Sequence, residues 1–105
     1  MNSIEKTILE KFKTLLLKRV KLHALVLFGS RAKGNAETYS DMDVLVVVDD
    51  LTMEVEDYIS DCAWEAGFET GIVVVPVVYL RNEWESGPER YSLLAEAVKT
   101  EGVYI

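Results

Sequence analysis

Residues 25–49 read LVLFGSRAKGNAETYSDMDVLVVVD, which is two apolar runs joined by a polar loop. The first run predicts a buried strand, Leu22–Phe28, that stops abruptly at Gly29-Ser30. The second run predicts another strand, Met42–Val48, and Asp49-Asp50 most simply ends it. The loop is long enough to return the chain beside the first strand. The bend and the start of the second strand are therefore expected at one edge of a sheet.

Helical spacing of apolar residues recurs in the flanking segments. The first helix is predicted from Ser3 to about Val20, and Asn2 with Glu5 resembles a capping pair at its start. Thr52 predicts the cap of a second helix, which Gly67 closes. A capping box over 86–89, Ser-Gly-Pro-Glu, predicts the start of the last helix, with Tyr91, Leu94, Ala95 and Val98 on its apolar face.

Two further strands complete the predicted sheet. The apolar run Ile72–Tyr79 predicts the third strand, in which Pro76 indicates a bulge or an edge position because proline cannot donate to the ladder. Val103–Ile105 predicts a short final strand. The element order favours the α+β class, with a small mixed β-sheet flanked by helices, in a single domain spanning 1–105.

Composition and charge limit the classes of function. The chain has a formal charge of −7, which disfavours nucleic acid as a partner because that attraction requires clustered basic residues. No apolar run approaches the roughly 18 residues of a membrane helix, and no secretory signal is visible, so a cytoplasmic location is expected. The single cysteine, Cys62, lies in a helical apolar pattern and is interpreted as a core thiol.

The Gly29-Ser30 bend has the chemistry of a phosphate-binding loop. Glycine permits a sharp turn and lets a bulky ligand approach the main chain. The Ser30 hydroxyl and neighbouring backbone N–H groups suit phosphate oxygens, and Arg31 and Lys33 add positive charge at the same rim. An ordinary solvated loop is the alternative interpretation for the two basic residues.

Asp41 and Asp43 are separated by one residue at the entrance of the second strand, where i and i+2 side chains project from the same face. Met42 is expected on the opposite, buried face. Two carboxylates held this close repel each other, so the arrangement favours a divalent cation between them. Mg²⁺ commonly uses one or two carboxylates together with phosphate oxygens and water. The alternative is a pair of solvated turn residues.

Gly29-Ser30, ten intervening residues and then Asp41-x-Asp43 resemble the signature of the nucleotidyltransferase superfamily related to DNA polymerase beta. Within it, the run GSRAKG at 29–34 is similar to the minimal nucleotidyltransferase (MNT) proteins. The resemblance implies the polymerase beta-like fold, triphosphate binding by the serine loop, and Mg²⁺ held by Asp41 and Asp43 as the catalytic pair. The nucleotide-binding set expected from it is Gly29, Ser30, Arg31, Lys33 and Ser40.

The chain departs from that pattern at the third predicted strand. Catalytic members of the family usually carry a third carboxylate there, but this chain has Ile72-Val73-Val74-Val75. Glu69, just before the strand, is a weak substitute. Losing this group is expected to harm transfer more than triphosphate binding, because one metal still has Asp41, Asp43 and the phosphates.

Two functional hypotheses remain open. The first is an active transferase that moves a nucleoside monophosphate, with ATP the expected donor, onto an acceptor. The resemblance implies an antitoxin whose partner is a helical HEPN-domain toxin, and a tyrosine of that partner as one acceptor. The second is a catalytically weak or inactive module that neutralises such a partner by contact, which fits the acidic charge. A fold fragment without substrate, and a homo-oligomer, are also left open.

Three other side chains receive structural interpretations. His23, at a strand start, is expected at the surface or internally satisfied. Trp64, on the apolar second helix, is expected in the core. Trp84 and Tyr91 fit either the core or an interface, and the sequence does not separate these alternatives.

Overall fold

The computed structural model describes residues 1–34, 36–88 and 92–105. The elements follow one another as α1 (Ser3–Leu17), β1 (Leu22–Phe28), α2 (Ser30–Lys33), β2 (Met42–Val48), α3 (Met53–Phe68), β3 (Val74–Leu80), α4 (Arg81–Ser86), α5 (Leu93–Glu101) and β4 (Val103–Tyr104). The predicted bounds of β1 and β2 agree with the observed ones. No helix in the described part of the chain is both long and apolar enough to span a membrane.

The strands form one mixed sheet in the order β3-β2-β1-β4. β1 pairs antiparallel with both β2 and β4, whereas β2 and β3 run parallel. The parallel pair is joined by α3, as a parallel connection requires a crossover. The predicted α+β class, a small mixed sheet flanked by helices, is confirmed.

The two faces of the sheet are covered unequally. Helices α1 and α3 pack on one face, where they bury the main core with Met42, Val44 and Val46 of β2. The other face carries a smaller cluster that includes Leu45 and Val47 of β2 beneath α5. Because side chains alternate along a strand, Asp43 belongs to this second face, and Met42 is fully buried on the first, as predicted.

Pro76 lies on an edge strand, which confirms one of its two predicted settings. It pairs in register opposite Val44, and the β2–β3 register contains no bulge. The Met42 N–H donates to the Val73 carbonyl at 2.8 Å, so by alternation the even-numbered residues of β3 direct their backbone nitrogens away from β2. Proline therefore removes a donor only from the open edge.

The boundaries of the first and last helices differ from the predictions. The predicted capping pair is confirmed, with the Glu5 N–H donating to Asn2 Oδ1 at 2.8 Å, but α1 ends at Leu17, short of Val20. The predicted capping box at Ser86 is wrong. Ser86 ends α4, a helix that the sequence did not predict, and Ser92 caps α5 by accepting from Ala95 N–H at 3.1 Å. Glu89 and Tyr91 lie outside the described residues.

The burial of four single side chains can be compared with the predictions. Cys62 is buried, as expected of a core thiol. Trp64 is 68% exposed, so its assignment to the core is wrong. Trp84 is partly buried, with its ring centroid 5.4 Å from that of Tyr79 on the second face. His23 is exposed, and its Nε2 lies 3.3 Å from Glu85 Oε1.

Gly67 is inside α3 and does not close it, because the helix continues to Phe68. The residue is buried where the chain returns to begin β3. A Cβ at this position would lie 1.9 Å from the Ile72 carbonyl oxygen, so the backbone of the returning segment occupies the space a side chain needs. Close packing, and not helix termination, explains the glycine.

The variant Gly67→Ala is expected to destabilise the protein by about 1–3 kcal/mol or more, because overpacking forces backbone shifts. The direction is opposite to the usual gain of up to about 1 kcal/mol for replacing glycine by alanine inside a helix. Urea unfolding measures the change. Ser60→Ala, at an exposed position of the same helix, is the matched control and is expected to be neutral or slightly stabilising. A stabilised Gly67→Ala variant would contradict the close contact with Ile72.

Candidate functional site

The bend after β1 brings the backbone against an aspartate of the next strand. Gly29 has φ +76° and ψ −155°, a conformation that residues with a side chain rarely adopt. A Cβ at Gly29 would lie 2.6 Å from Asp43 Oδ2. Two constraints therefore require glycine at this position: its backbone torsion angles and the Asp43 carboxylate beside it. The bend and Asp43 border the same small space.

The pairing of β1 with β2 explains this convergence. Phe28, the last residue of β1, is the register partner of Asp43, near the start of β2. Since the two strands are antiparallel, the end of one and the start of the other share an edge of the sheet. Ser30 is exposed directly after the bend, and Asp41 is exposed directly before β2.

The two carboxylates influence each other. The pKa of Asp43 is raised above its ordinary value, first by partial burial and then by the negative charge of Asp41. Both causes disfavour the second negative charge in the metal-free protein. A divalent cation would remove this penalty, and two carboxylates are the protein share of a typical Mg²⁺ site that also uses phosphate oxygens and water. The pair therefore fits such an ion.

The described residues place no third protein ligand beside this pair. No group of three or more His, Cys, Asp or Glu side chains that could hold a metal occurs among residues 1–34, 36–88 and 92–105. Glu69 therefore does not join the pair as the predicted substitute. On β3 the register partner of Asp43 is Val75, so the neighbouring strand presents an apolar side chain at that level.

Arg31 is not at the rim where the sequence placed it. It is only 5% exposed, and its guanidinium points into the protein. Its Nη1 donates to Glu5 Oε2 at 3.0 Å, Nε to the Ser40 carbonyl at 2.8 Å and Nη2 to the Thr38 carbonyl at 2.9 Å. Arg31 thus ties the loop before Asp41 to the start of α1.

Glu5 is the functional residue that sequence reasoning missed. Its second carboxylate oxygen accepts from the Asn2 N–H at 2.9 Å, so one side chain completes the α1 cap and neutralises Arg31. In the sequence, Glu5 is an acid at the third position of α1, and the capping pair with Asn2 already accounts for such a residue. Its contact with Arg31 was therefore not predicted. We refer to Glu5, Arg31 and the carbonyls of Thr38 and Ser40 as the loop clamp.

The two remaining predicted residues are at the surface of the loop or near it. Lys33 is exposed at the end of α2, and its Nζ lies 3.4 Å from Glu101 Oε2. The Ser40 hydroxyl accepts from the Glu37 N–H at 3.1 Å, which places this oxygen in the internal bonding of the loop. The structure therefore brings Gly29, Asp43 and Asp41 together, with Ser30 next to Gly29 in the chain, and assigns Arg31 and Ser40 to holding the loop.

Comparison with known proteins supplies the family. Residues 6–103 match the family model described as the nucleotidyltransferase domain, which covers most of the chain. The chain belongs to the nucleotidyltransferase domain family. The sequence-based resemblance is thereby confirmed at the level of the family and the fold.

Three relatives of this nucleotidyltransferase domain are informative. A Methanocaldococcus jannaschii protein with the provisional name protein adenylyltransferase MJ0141 is 33% identical over 63 residues, which are 59% of this chain and 64% of that protein. A chain from a toxin–antitoxin crystal structure with AMP-PNP is 24% identical, with a TM-score of 0.63 over 90% of this chain and 69% of that one. A third, from the tri-AMPylated Shewanella oneidensis HEPN toxin in complex with MNT antitoxin, is 20% identical, with a TM-score of 0.56 over 96% and 70% of the two chains. The match to MJ0141 thus spans less than two thirds of that relative, and the two structural matches establish the shared fold.

The loop clamp predicts a large stability effect. Arg31→Met leaves the 4% exposed Glu5 carboxylate without its cation, which is expected to cost about 3–5 kcal/mol of unfolding free energy. Adding Glu5→Gln to this variant removes the unpaired charge and is expected to restore part of the loss. Urea unfolding measures all three proteins. Lys21→Met breaks the exposed Lys21–Asp50 pair and is the control, expected within about 1 kcal/mol of wild type.

Asp43→Asn is expected to stabilise the metal-free nucleotidyltransferase domain at neutral pH, because it removes a charge that burial and Asp41 both oppose. The folded chain holds the Asp43 proton more tightly than the unfolded chain does. Wild type therefore loses stability as the pH rises from the ordinary aspartate pKa of about 4 through the raised pKa of Asp43. Below that window the two proteins should be equally stable.

Urea unfolding in a chelator across a pH series tests this dependence. Asp61→Asn, at an exposed carboxylate of α3, is the control. An Asp43→Asn advantage that is the same at acidic and neutral pH would show that the titration of Asp43 is not its cause.

Proposed function

We propose that this nucleotidyltransferase domain binds a nucleoside triphosphate with Mg²⁺ at Gly29, Ser30, Asp41 and Asp43, and transfers the nucleoside monophosphate to a protein acceptor. The observation that carries the proposal is the approach of the Gly29 backbone to the Asp43 carboxylate, 2.6 Å from where a Cβ would lie. It brings a glycine-lined space for phosphate and a carboxylate pair for metal to one edge of the sheet.

The phosphate side of the site rests on small and exposed groups. Without a side chain at Gly29, triphosphate oxygens can approach the main chain beside the carboxylates. The exposed Ser30 hydroxyl is a donor there, and Lys33 supplies a positive charge in an otherwise acidic protein. The Lys33 ammonium group lies 3.4 Å from Glu101 Oε2, and both side chains are partly exposed. Because exposed ion pairs are weak, Lys33 can exchange Glu101 for a phosphate oxygen at little cost in free energy.

The carboxylate side holds the metal. Asp41 and Asp43 would supply two oxygen ligands to Mg²⁺, and the triphosphate and water would supply the others. The bound ion would neutralise phosphate charge and orient the α-phosphorus. The loop clamp contributes indirectly, because the Ser40 carbonyl that Arg31 holds belongs to the residue preceding Asp41.

The proposed transfer is a displacement at the α-phosphorus. The acceptor oxygen forms a bond to phosphorus, the bond to the β-phosphate oxygen breaks, and pyrophosphate leaves. The acceptor hydroxyl loses its proton to solvent. Orientation and charge neutralisation supply most of the acceleration in this type of reaction, and both come from the bend and the carboxylate pair.

Relatives support ATP as donor and a protein as acceptor. The Methanocaldococcus jannaschii relative is named for protein adenylylation, one structural neighbour was crystallised with AMP-PNP, and another complex contains an AMPylated HEPN toxin beside an MNT antitoxin. We therefore propose an antitoxin of this type, with a tyrosine of a HEPN-domain partner as the acceptor.

A second candidate is an antitoxin that inhibits its partner by contact with little or no transfer. The observation that favours it is Val75, which occupies the position opposite Asp43 where a third acid would complete a two-metal site. With one metal held by two aspartates, binding of Mg-ATP is retained while the acceptor hydroxyl has no carboxylate on β3 to activate it.

Titration calorimetry with ATP and Mg²⁺ tests nucleotide binding, and intact-mass measurement of a co-expressed HEPN partner tests transfer. Wild type is expected to bind Mg-ATP and to add AMP to the partner. Asp43→Asn is expected to slow transfer at least about 100-fold, since it removes a metal ligand at the reacting phosphate. Asp50→Asn, at the far end of β2, is the matched control and should transfer normally.

The outcomes separate the two candidates. Partner mass increased by AMP in wild type and not in Asp43→Asn supports the transferase. Binding of Mg-ATP with an unmodified but inhibited partner supports the contact antitoxin. Absence of Mg-ATP binding in wild type would reject the proposed site itself.

A further inference from the structure

An exposed aromatic pair lies on α3, away from the core. Trp64 is 68% exposed and Phe68 is 64% exposed, and their ring centroids are 4.8 Å apart. Val73, which precedes β3, is 58% exposed. Large apolar side chains grouped at the surface are typical of sites where another protein binds, and tryptophan contributes more to such interfaces than most residues.

These side chains border a groove between α3 and the start of β3. It has a volume of about 400 Å³, and its lining includes Trp64, Phe68, Ile72, Val73 and Pro76. We call this feature the α3–β3 groove. Its lining is mainly apolar, and Pro76 removes a backbone donor from the adjoining sheet edge, so occupancy by side chains is favoured over addition of a strand.

One end of the α3–β3 groove adjoins the backbone at the start of β2. The Val73 carbonyl accepts from the N–H of Met42, the residue between Asp41 and Asp43, at 2.8 Å. The β2–β3 register begins with Met42 opposite Val74, so Val73 and Asp41 are the residues that immediately precede this pairing. A segment bound in the groove would therefore lie next to the site at which the nucleotide is proposed to bind.

Charge identifies the kind of segment. Acidic residues recur every four positions along α3, and each is exposed: Asp57, Asp61, Glu65 and Glu69. Three of them line a second cavity with Trp64 and Phe68, in which Lys11 is the basic lining residue. A second copy of this chain would bring equal acidic rows together, and a nucleic acid would bring phosphate against carboxylates. Lysine or arginine beside apolar side chains complements this surface.

We propose that the α3–β3 groove and the acidic row beside it dock a basic, apolar helical segment of the acceptor protein. Trp64 and Phe68 contact the apolar side chains of this segment, and the acidic row forms ion pairs with its lysines or arginines. Docking brings an acceptor hydroxyl toward Asp41 and Asp43. The functional meaning of this docking rests on the proposed transfer to a protein, whereas the docking itself is measured without any nucleotide.

Two synthetic peptides of equal length test the surface. One repeats leucine and lysine at helical spacing, and the other has glutamate in place of every lysine. Fluorescence anisotropy of the labelled peptides is expected to show saturable binding of the lysine peptide only, weakening as salt rises. In Trp84→Phe protein, where Trp64 is the remaining tryptophan, its emission should shift to shorter wavelength on binding.

Variants locate the binding. Asp61→Lys with Glu65→Lys is expected to weaken the lysine peptide about tenfold or more, and Trp64→Ser should weaken it by a similar factor. Glu96→Lys, at an exposed acid of α5, is the matched control for non-specific attraction and should bind nearly as wild type does. Circular dichroism checks that each variant is folded.

Several results would overturn the proposal. These are equal binding of both peptides, a loss in Glu96→Lys equal to that in Asp61→Lys/Glu65→Lys, and a dimer in sedimentation that the Trp64→Ser variant abolishes. Mg-ATP affinity is measured on the same variants and should not change in Asp61→Lys/Glu65→Lys. If wild type does not bind Mg-ATP, the proposed function is rejected. If wild type binds Mg-ATP but not the lysine peptide, only the docking surface is rejected.

Discussion

The antiparallel pairing of β1 and β2 is the constraint on which the site depends. It places the end of one strand and the start of the other at the same edge, so that the Gly29 backbone and the Asp43 carboxylate share one small space. Any side chain at the bend would collide with the carboxylate. The sheet therefore fixes the distance between the phosphate loop and the proposed metal ligands before any ligand binds, which lowers the cost of organising the site.

The site carries an electrostatic penalty that the rest of the fold tolerates. Partial burial and Asp41 both raise the pKa of Asp43, so the metal-free protein holds a charge in an unfavourable place. Opposite this penalty stands the loop clamp, in which Glu5 balances the buried charge of Arg31 and the guanidinium satisfies two loop carbonyls. The Glu5–Arg31 ion pair thus fixes the loop that leads to Asp41 and Asp43, whose negative charges repel each other.

The sequence was sufficient for the parts governed by local pattern. Apolar runs with sharp polar ends located β1 and β2, and the spacing of the serine bend from the aspartates indicated the family. It was not sufficient for Arg31, whose role depends on a contact with a residue far away in the sequence. Arg31 directs its guanidinium inward because Glu5, 26 residues earlier, lies beneath it, and no local pattern contains that contact. For Trp64 the spacing itself was informative, since it lies five positions after Ile59, about 140° around the helix at 3.6 residues per turn and away from the core face that Ile59 and Ala63 occupy.

The absence of an acid at Val75 has different consequences for binding and for reaction. In the proposed function, triphosphate and one metal are bound by the bend and two aspartates, which the β1–β2 edge supplies by itself. In the same proposal, activation of an acceptor hydroxyl would use a group on the β3 side, and there the described chain presents Val75 opposite Asp43. The two proposals therefore give β3 two roles, because Val75 lies opposite Asp43 while Val74 and Pro76 line the α3–β3 groove, and an apolar strand favours recognition of a partner over activation of its hydroxyl.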